Sequence, residues 1–161
     1  VYSKEMILGK ILFQDKEFEK AKEYFIRASQ AQQDSASFAL LGSTYYKTGD
    51  MANAELSILG AEKIDRNSYY RLRIFGYKSL LMLRKNKSEG FDALRQYVLF
   101  LKALNLPFDT HDMNLMIDTK RVDIGMLETK IEEQSIWYEN EMERFNAGEP
   151  CYFTEKLDRA T

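Results

Sequence analysis

The stretch ALLGSTYYKTGDMANAELSILGAEKI, residues 39–64, decides the fold, because small and large apolar residues recur in it at intervals that an upstream stretch repeats. That stretch is MILGKILFQDKEFEKAKEYFIRASQA, residues 6–31. Superposing the two Leu-Gly pairs matches Leu8 with Leu41, Gly9 with Gly42, Leu12 with Tyr45, Ala21 with Ala54, Phe25 with Ile58 and Ala28 with Ala61. All six pairs keep one offset of 33 residues, from Gly9 to Gly42. Chance seldom holds a single spacing over positions that also agree in size and polarity.

Inside each copy the period is helical: Leu8, Gly9 and Leu12 share one face, and Phe18, Ala21, Phe25 and Ala28 share a face of a second segment. The polar breaks QDKEF and KTGDM separate the two segments, and Gly49 supplies the positive φ that a tight turn needs. Each copy therefore reads as helix, turn, helix. Gly9 and Gly42 remove a side chain where the second helix must approach, and Ala21 and Ala54 do so from the other side, while large neighbours fill the remaining volume.

This pattern of large apolar, Gly, aromatic, Ala, aromatic and Ala resembles the tetratricopeptide repeat family, and is met here by Leu41, Gly42, Tyr45, Ala54, Ile58 and Ala61. Departures are Glu5 in place of a large aromatic, Leu12 in place of the aromatic, and no proline after either second helix. A third unit begins at Phe75-Gly76, 34 residues beyond Leu41-Gly42. It then departs: Ser79 stands where Tyr45 stands in the second copy, RKNKSEG turns later, and Ala93, Tyr97 and Phe100 define the following helix. An elongated pair over about 68–85 and 88–105 is expected. The resemblance implies an all-α, right-handed α-solenoid of helix hairpins.

Pro107 ends the third pair, and Asp109 or Thr110 can cap a further helix. Ile124, Leu127, Ile131, Tyr138, Met142 and Phe145 then form one amphipathic stripe that ends near Gly148-Glu149-Pro150. The last apolar face of a solenoid requires such a cap. The expected division is a repeat array over 1–106, an amphipathic capping helix region over 107–148 and a tail over 149–161. Trp137 is expected to pack on the third pair, and the seven dispersed methionines read as gap fillers.

In arrays of this family the first helices of successive pairs line the inner face. The residues turned away from the Leu8, Gly9, Leu12 stripe are Met6, Lys10 and Phe13, then Ala39, Ser43 and Tyr46, then Arg73, Tyr77 and Leu80. Ser3, Gln14, Ala36, Lys47, Tyr70 and Leu81 flank them. From this set the expected partner-binding concave face is Met6, Lys10, Phe13, Ser43, Tyr46, Lys47, Tyr70, Arg73 and Tyr77. Aromatics beside Lys10, Lys47 and Arg73 suit a protein or peptide segment bearing apolar anchors and carboxylates. The competing reading makes Phe13, Tyr46, Tyr77 and Leu80 core, covered by the C-terminal helix folded back into the groove. A carboxylate clamp known in the family is not matched, since Met6, Lys10 and Leu40 occupy its positions.

Composition agrees with this class. Hydrophobic residues make up 45 % of the 161, enough for a continuous core, and two prolines favour helices over a many-turned β fold. Twenty-three basic against twenty-five acidic residues give a net charge of −2, which directs no argument to nucleic acid. No window supplies the ~18–20 apolar residues of a membrane span. The lone Cys151 excludes an intrachain disulfide and suits a reducing, intracellular and cytoplasmic setting. Val1 in place of an initiating Met, with no leader-like segment, suggests an excised fragment.

Catalytic chemistry finds no support. Asp109, His111 and Asp112 are read as a helix start rather than metal ligands, because no second His completes a zinc set. Neither His111 nor Cys151 has an activating neighbour pattern, the glycines form no phosphate loop, and Asn86-Lys87-Ser88 is set aside as a chance sequon. Glu132-Glu133 and Glu139, Glu141 and Glu143 are read as a solvated helix face. No cofactor is expected. The functional expectation is a non-catalytic adaptor or scaffold that binds a peptide or helix in its concave groove. The alternatives are a small secretion chaperone for a translocator or effector, and a self-associating structural subunit that pairs through residues 124–145. Gln134 and Ser135 interrupt that stripe and disfavour a long coiled coil.

Overall fold

The computed structural model describes residues 2–154. Among these the chain forms eight α-helices of four or more turns or shorter, in the order α1 (Tyr2–Gln14), α2 (Phe18–Ala31), α3 (Ser35–Lys47), α4 (Met51–Ile64), α5 (Arg71–Arg84), α6 (Glu89–Ala103), α7 (His111–Thr119) and α8 (Ile124–Asn146), with no strand. The first six pack as consecutive antiparallel hairpins in an all-α solenoid.

The small residues work as the repeat pattern requires. A Cβ on Gly9 would lie 2.6 Å from the Phe25 ring, and one on Gly42 would lie 2.6 Å from Ile58, so the same cross-hairpin contact recurs in both copies. Ala21, Ala28, Ala54 and Ala61 are fully buried beside them. Turn chemistry sets the ends. Asp34 and Asp50 accept backbone N–H bonds from Ser37 (2.8 Å) and Asn53 (3.2 Å), capping α3 and α4; each such cap stabilises by about 1 kcal/mol. Gly49 takes φ 85°, and Lys16, its counterpart in the first copy, takes φ 63°.

The third hairpin is longer. α5 runs eight residues past Gly76, where α3 runs five past Gly42. Its turn closes on a glycine of its own: a Cβ on Gly90 would lie 2.6 Å from Leu83 Cγ. Gly76 is approached by Tyr97 of α6 and also by Ile131 of α8, whose Cγ2 would lie 2.4 Å from an added Cβ.

The C-terminal region is two helices instead of the single capping stripe expected. Asp118-Thr119-Lys120-Arg121 carries no apolar side chain to bury, and Lys120 turns left-handed at φ 58°. Asp123 then starts α8 by accepting the Met126 N–H at 3.1 Å. Asp109 holds the start of α7, accepting the His111 N–H at 2.8 Å, whereas Thr110 makes no side-chain cap bond. The segment expected as a tail is packed as far as residue 154: Cys151 is buried, the Tyr152 N–H donates to Glu141 Oε2 at 2.8 Å, and Phe153 packs edge-on to Tyr138. The rest of that segment lies outside the described residues. Trp137 stacks edge-on between Phe108 and Tyr152 and not on the helices of the third pair.

Candidate functional site: the inner face and its occupant

Positions three before and one and four after each repeat glycine meet on one face built by α1, α3 and α5. That face is not an open trough. Met6, Phe13, Ser43, Tyr46, Arg73 and Tyr77 are buried, while Lys10, Lys47 and Tyr70 are half-buried. The expectation of a solvent-exposed groove is corrected by α8, which lies along it and reaches from α5 to α1.

Arg73, 0 % exposed, is the centre. Its Nε and Nη2 donate to the two oxygens of Glu139 at 2.8 and 2.9 Å, and its Nη1 and Nη2 donate to the two oxygens of Glu132 at 2.7 and 2.8 Å. Nη1 also donates to Ser43 Oγ at 3.0 Å, which ties α3 into the cluster. The Tyr77 hydroxyl donates to Glu132 Oε1 at 2.5 Å. A planar guanidinium can serve two carboxylates at once because its five N–H groups lie in a fixed fork. The rings of Phe13 and Tyr77 stand 5.7 and 5.8 Å from the guanidinium carbon and close its faces.

At the α1 end, Lys10 pairs with Glu143 at 3.3 Å and lies 5.7 Å from the centre of the Tyr70 ring. At the other end, Arg84 lies 5.4 Å from the Tyr46 ring and 3.9 Å from Glu128. Lys47, the last residue of α3, joins no ion pair among the described residues. Below the polar line, Leu127, Ile131 and Tyr138 of α8 are buried, and Gln134 accepts the Tyr97 hydroxyl at 2.9 Å.

Burial pushes the Glu139 carboxyl up to about 7, against the downward pull of Arg73, and the like charge of Glu132 adds to the rise. Burial likewise raises the Tyr77 hydroxyl well above its ordinary value, and pushes that of Tyr46 up to about 12.

The groove residues were legible by position, whereas their ligand was not. Glu139 and Glu141 are buried and Glu132 is half-covered, so the reading of α8's acidic residues as one solvated face holds only for Glu133 and Glu143. The signal that could have found them is the seven-residue spacing of Glu132 and Glu139, two turns apart on one face, opposite a groove with a buried-side Arg. Gln134 and Ser135, read as a break in the stripe, are in fact buried in it.

Among the described residues no group of His, Cys, Asp and Glu could hold a metal ion, and no helix is long and apolar enough to cross a membrane. A tetratricopeptide repeat family model matches residues 6–35 and again 35–68, the two hairpins in which Gly9 meets Phe25 and Gly42 meets Ile58. The chain belongs to the tetratricopeptide repeat family through residues 6–68. No curated protein and no solved structure matches it. Tetratricopeptide repeats generally mediate protein–protein interaction and are not generally catalytic. The third hairpin, outside the matched residues, is a degenerate repeat: it keeps Gly76 and shifts its second helix along by the extra length of α5.

Proposed function

We propose that the chain is a non-catalytic protein-binding module whose concave face recognises an acidic amphipathic helix, and that α8 is the occupant with which a partner helix competes. The observation that carries this reading is the double pairing of Arg73 with Glu132 and Glu139. A helix held only for stability would be held by apolar packing, because stripping water from three charges offsets most of their attraction. An ionic centre supplies register and selectivity for a segment that carries carboxylates two turns apart. Aromatic walls at Phe13, Tyr46 and Tyr77 and the flanking Lys10 fit the same ligand chemistry.

A cis occupant lowers apparent affinity by the fraction of molecules in which the groove is free. The test is equilibrium binding of a labelled peptide of residues 124–146 to the full chain and to its Glu132→Gln/Glu139→Gln variant. Weakening α8 in cis should tighten peptide binding at least tenfold. Equal affinity for both proteins, with α8 amides exchanging as slowly as those of α5 in each, would make α8 a permanent part of the core and reject the groove as a binding site.

A further inference from the structure

The face of α1 turned away from α2 carries Ile7 and Ile11, which are 60 % and 51 % exposed. The repeat register says what this face is. The residues equivalent to Ile7 are Leu40 and Ile74, each 1 % exposed, and both are buried against the second helix of the preceding hairpin: Leu40 in one cluster with Phe25 and Ala28, Ile74 in one with Ile58 and Ala61. The residues equivalent to Ile11 are Thr44, fully buried, and Lys78, which pairs at 2.9 Å with Glu62 of α4. The α1 surface is thus a continuation of the interfaces α2–α3 and α4–α5, in the same register, with nothing stacked on it.

The register also specifies what should end beside Lys4. Its equivalents are Ser37 and Arg71. Ser37 donates its N–H to Asp34, just past the end of α2, and Arg71 pairs with Asp65, the residue that ends α4, at 2.8 Å. In both interfaces a carboxylate at the C-terminal end of the stacked helix meets this position. Lys4 is exposed and joins no ion pair among the described residues.

We propose that the outer face of α1 docks a helix of another protein, running antiparallel to α1, with an apolar stripe over Ile7 and Ile11 and a carboxylate at its C-terminal end on Lys4. A second copy of this chain cannot supply such a helix, because the stacking faces of α2, α4 and α6 are already taken by α3, α5 and α7. The groove under α8 is a separate surface, and this docking does not depend on it.

The probe is a helix-stabilised synthetic peptide of residues 51–66, the sequence of α4 through Asp65, titrated into the full chain. Amide shift changes are expected to cluster at Lys4, Ile7 and Ile11. Ile7→Asp/Ile11→Asp should weaken binding at least tenfold while leaving the circular dichroism spectrum unchanged, as exposed positions allow. Asp65→Asn in the peptide should weaken binding severalfold to the wild-type chain and not to the Lys4→Ala variant. Shift changes centred on α5 or elsewhere, or equal affinity for the Ile7→Asp/Ile11→Asp variant, would overturn the assignment. So would concentration-dependent sedimentation of the wild type that the same double variant abolishes, since that would give the face to self-association.

Discussion

Glycine has opposite meanings at two helical positions of this chain. At Gly9 the phenyl ring of Phe25 occupies the place of the missing side chain, and the ring is fully buried, so it has nowhere to move. Gly60 lies inside α4 with nothing within 4 Å of an added Cβ. Gly9→Ala should therefore destabilise by about 1–3 kcal/mol through overpacking, whereas Gly60→Ala should stabilise by about 0.5–1 kcal/mol by removing backbone freedom from the unfolded chain. Urea midpoints of the two variants measure both signs at once, and a loss of stability in Gly60→Ala equal to that in Gly9→Ala would show that the notch is not what the repeat glycines provide.

At the level of helices, the question is what holds α8 on α5. Apolar burial of Leu127, Ile131 and Tyr138 does part of it, and the Arg73 cluster does the rest. Arg73→Met alone leaves Glu132 and Glu139 facing each other without a counter-charge, and should destabilise by about 3–5 kcal/mol. Replacing the cluster whole, with Arg73→Met, Glu132→Leu, Glu139→Leu and Tyr77→Phe, should recover wild-type stability to within about 1 kcal/mol or exceed it. Calorimetry of the single and quadruple variants separates the two, and a quadruple variant as unstable as the single one would mean that the ions contribute net stability. The hairpins were readable because each depends on a steric rule satisfied within 33 residues, Gly9 with Phe25 and Gly42 with Ile58. The inner-face positions followed from the same periodicity. The docking of α8 was not, since Arg73 and Glu139 stand 66 residues apart and their pairing leaves no local period. The break before α8 was encoded, in Asp118-Thr119 and the Asp123 cap, but an apolar stripe that runs on to Tyr138 masks it.

For the whole molecule, the inner face couples the repeat array to proton concentration. One guanidinium faces two carboxylates on α8, and the charges around Glu139 come from several elements: Lys10 of α1, Arg73 and Tyr77 of α5 with Tyr70 just before it, and Glu132 on its own helix. Burial first, then Glu132, raise the Glu139 carboxyl from 4.5 to about 7, although Arg73 and Lys10 pull the other way. A carboxyl whose folded value lies above its unfolded one binds a proton more tightly when folded, so its contribution to stability is fully present below about 4.5 and is lost as pH rises through about 7. Between pH 6 and 8 the urea midpoint should accordingly fall with rising pH, and α8 amides should exchange faster relative to those of α4 once intrinsic rates are divided out. Glu139→Gln, which keeps the shape and cannot ionise, should flatten that slope. His111 is the one histidine and sits exposed at the start of α7, so His111→Gln should leave the slope in place. A slope that survives Glu139→Gln and vanishes with His111→Gln would remove the inner face as the origin of the pH dependence.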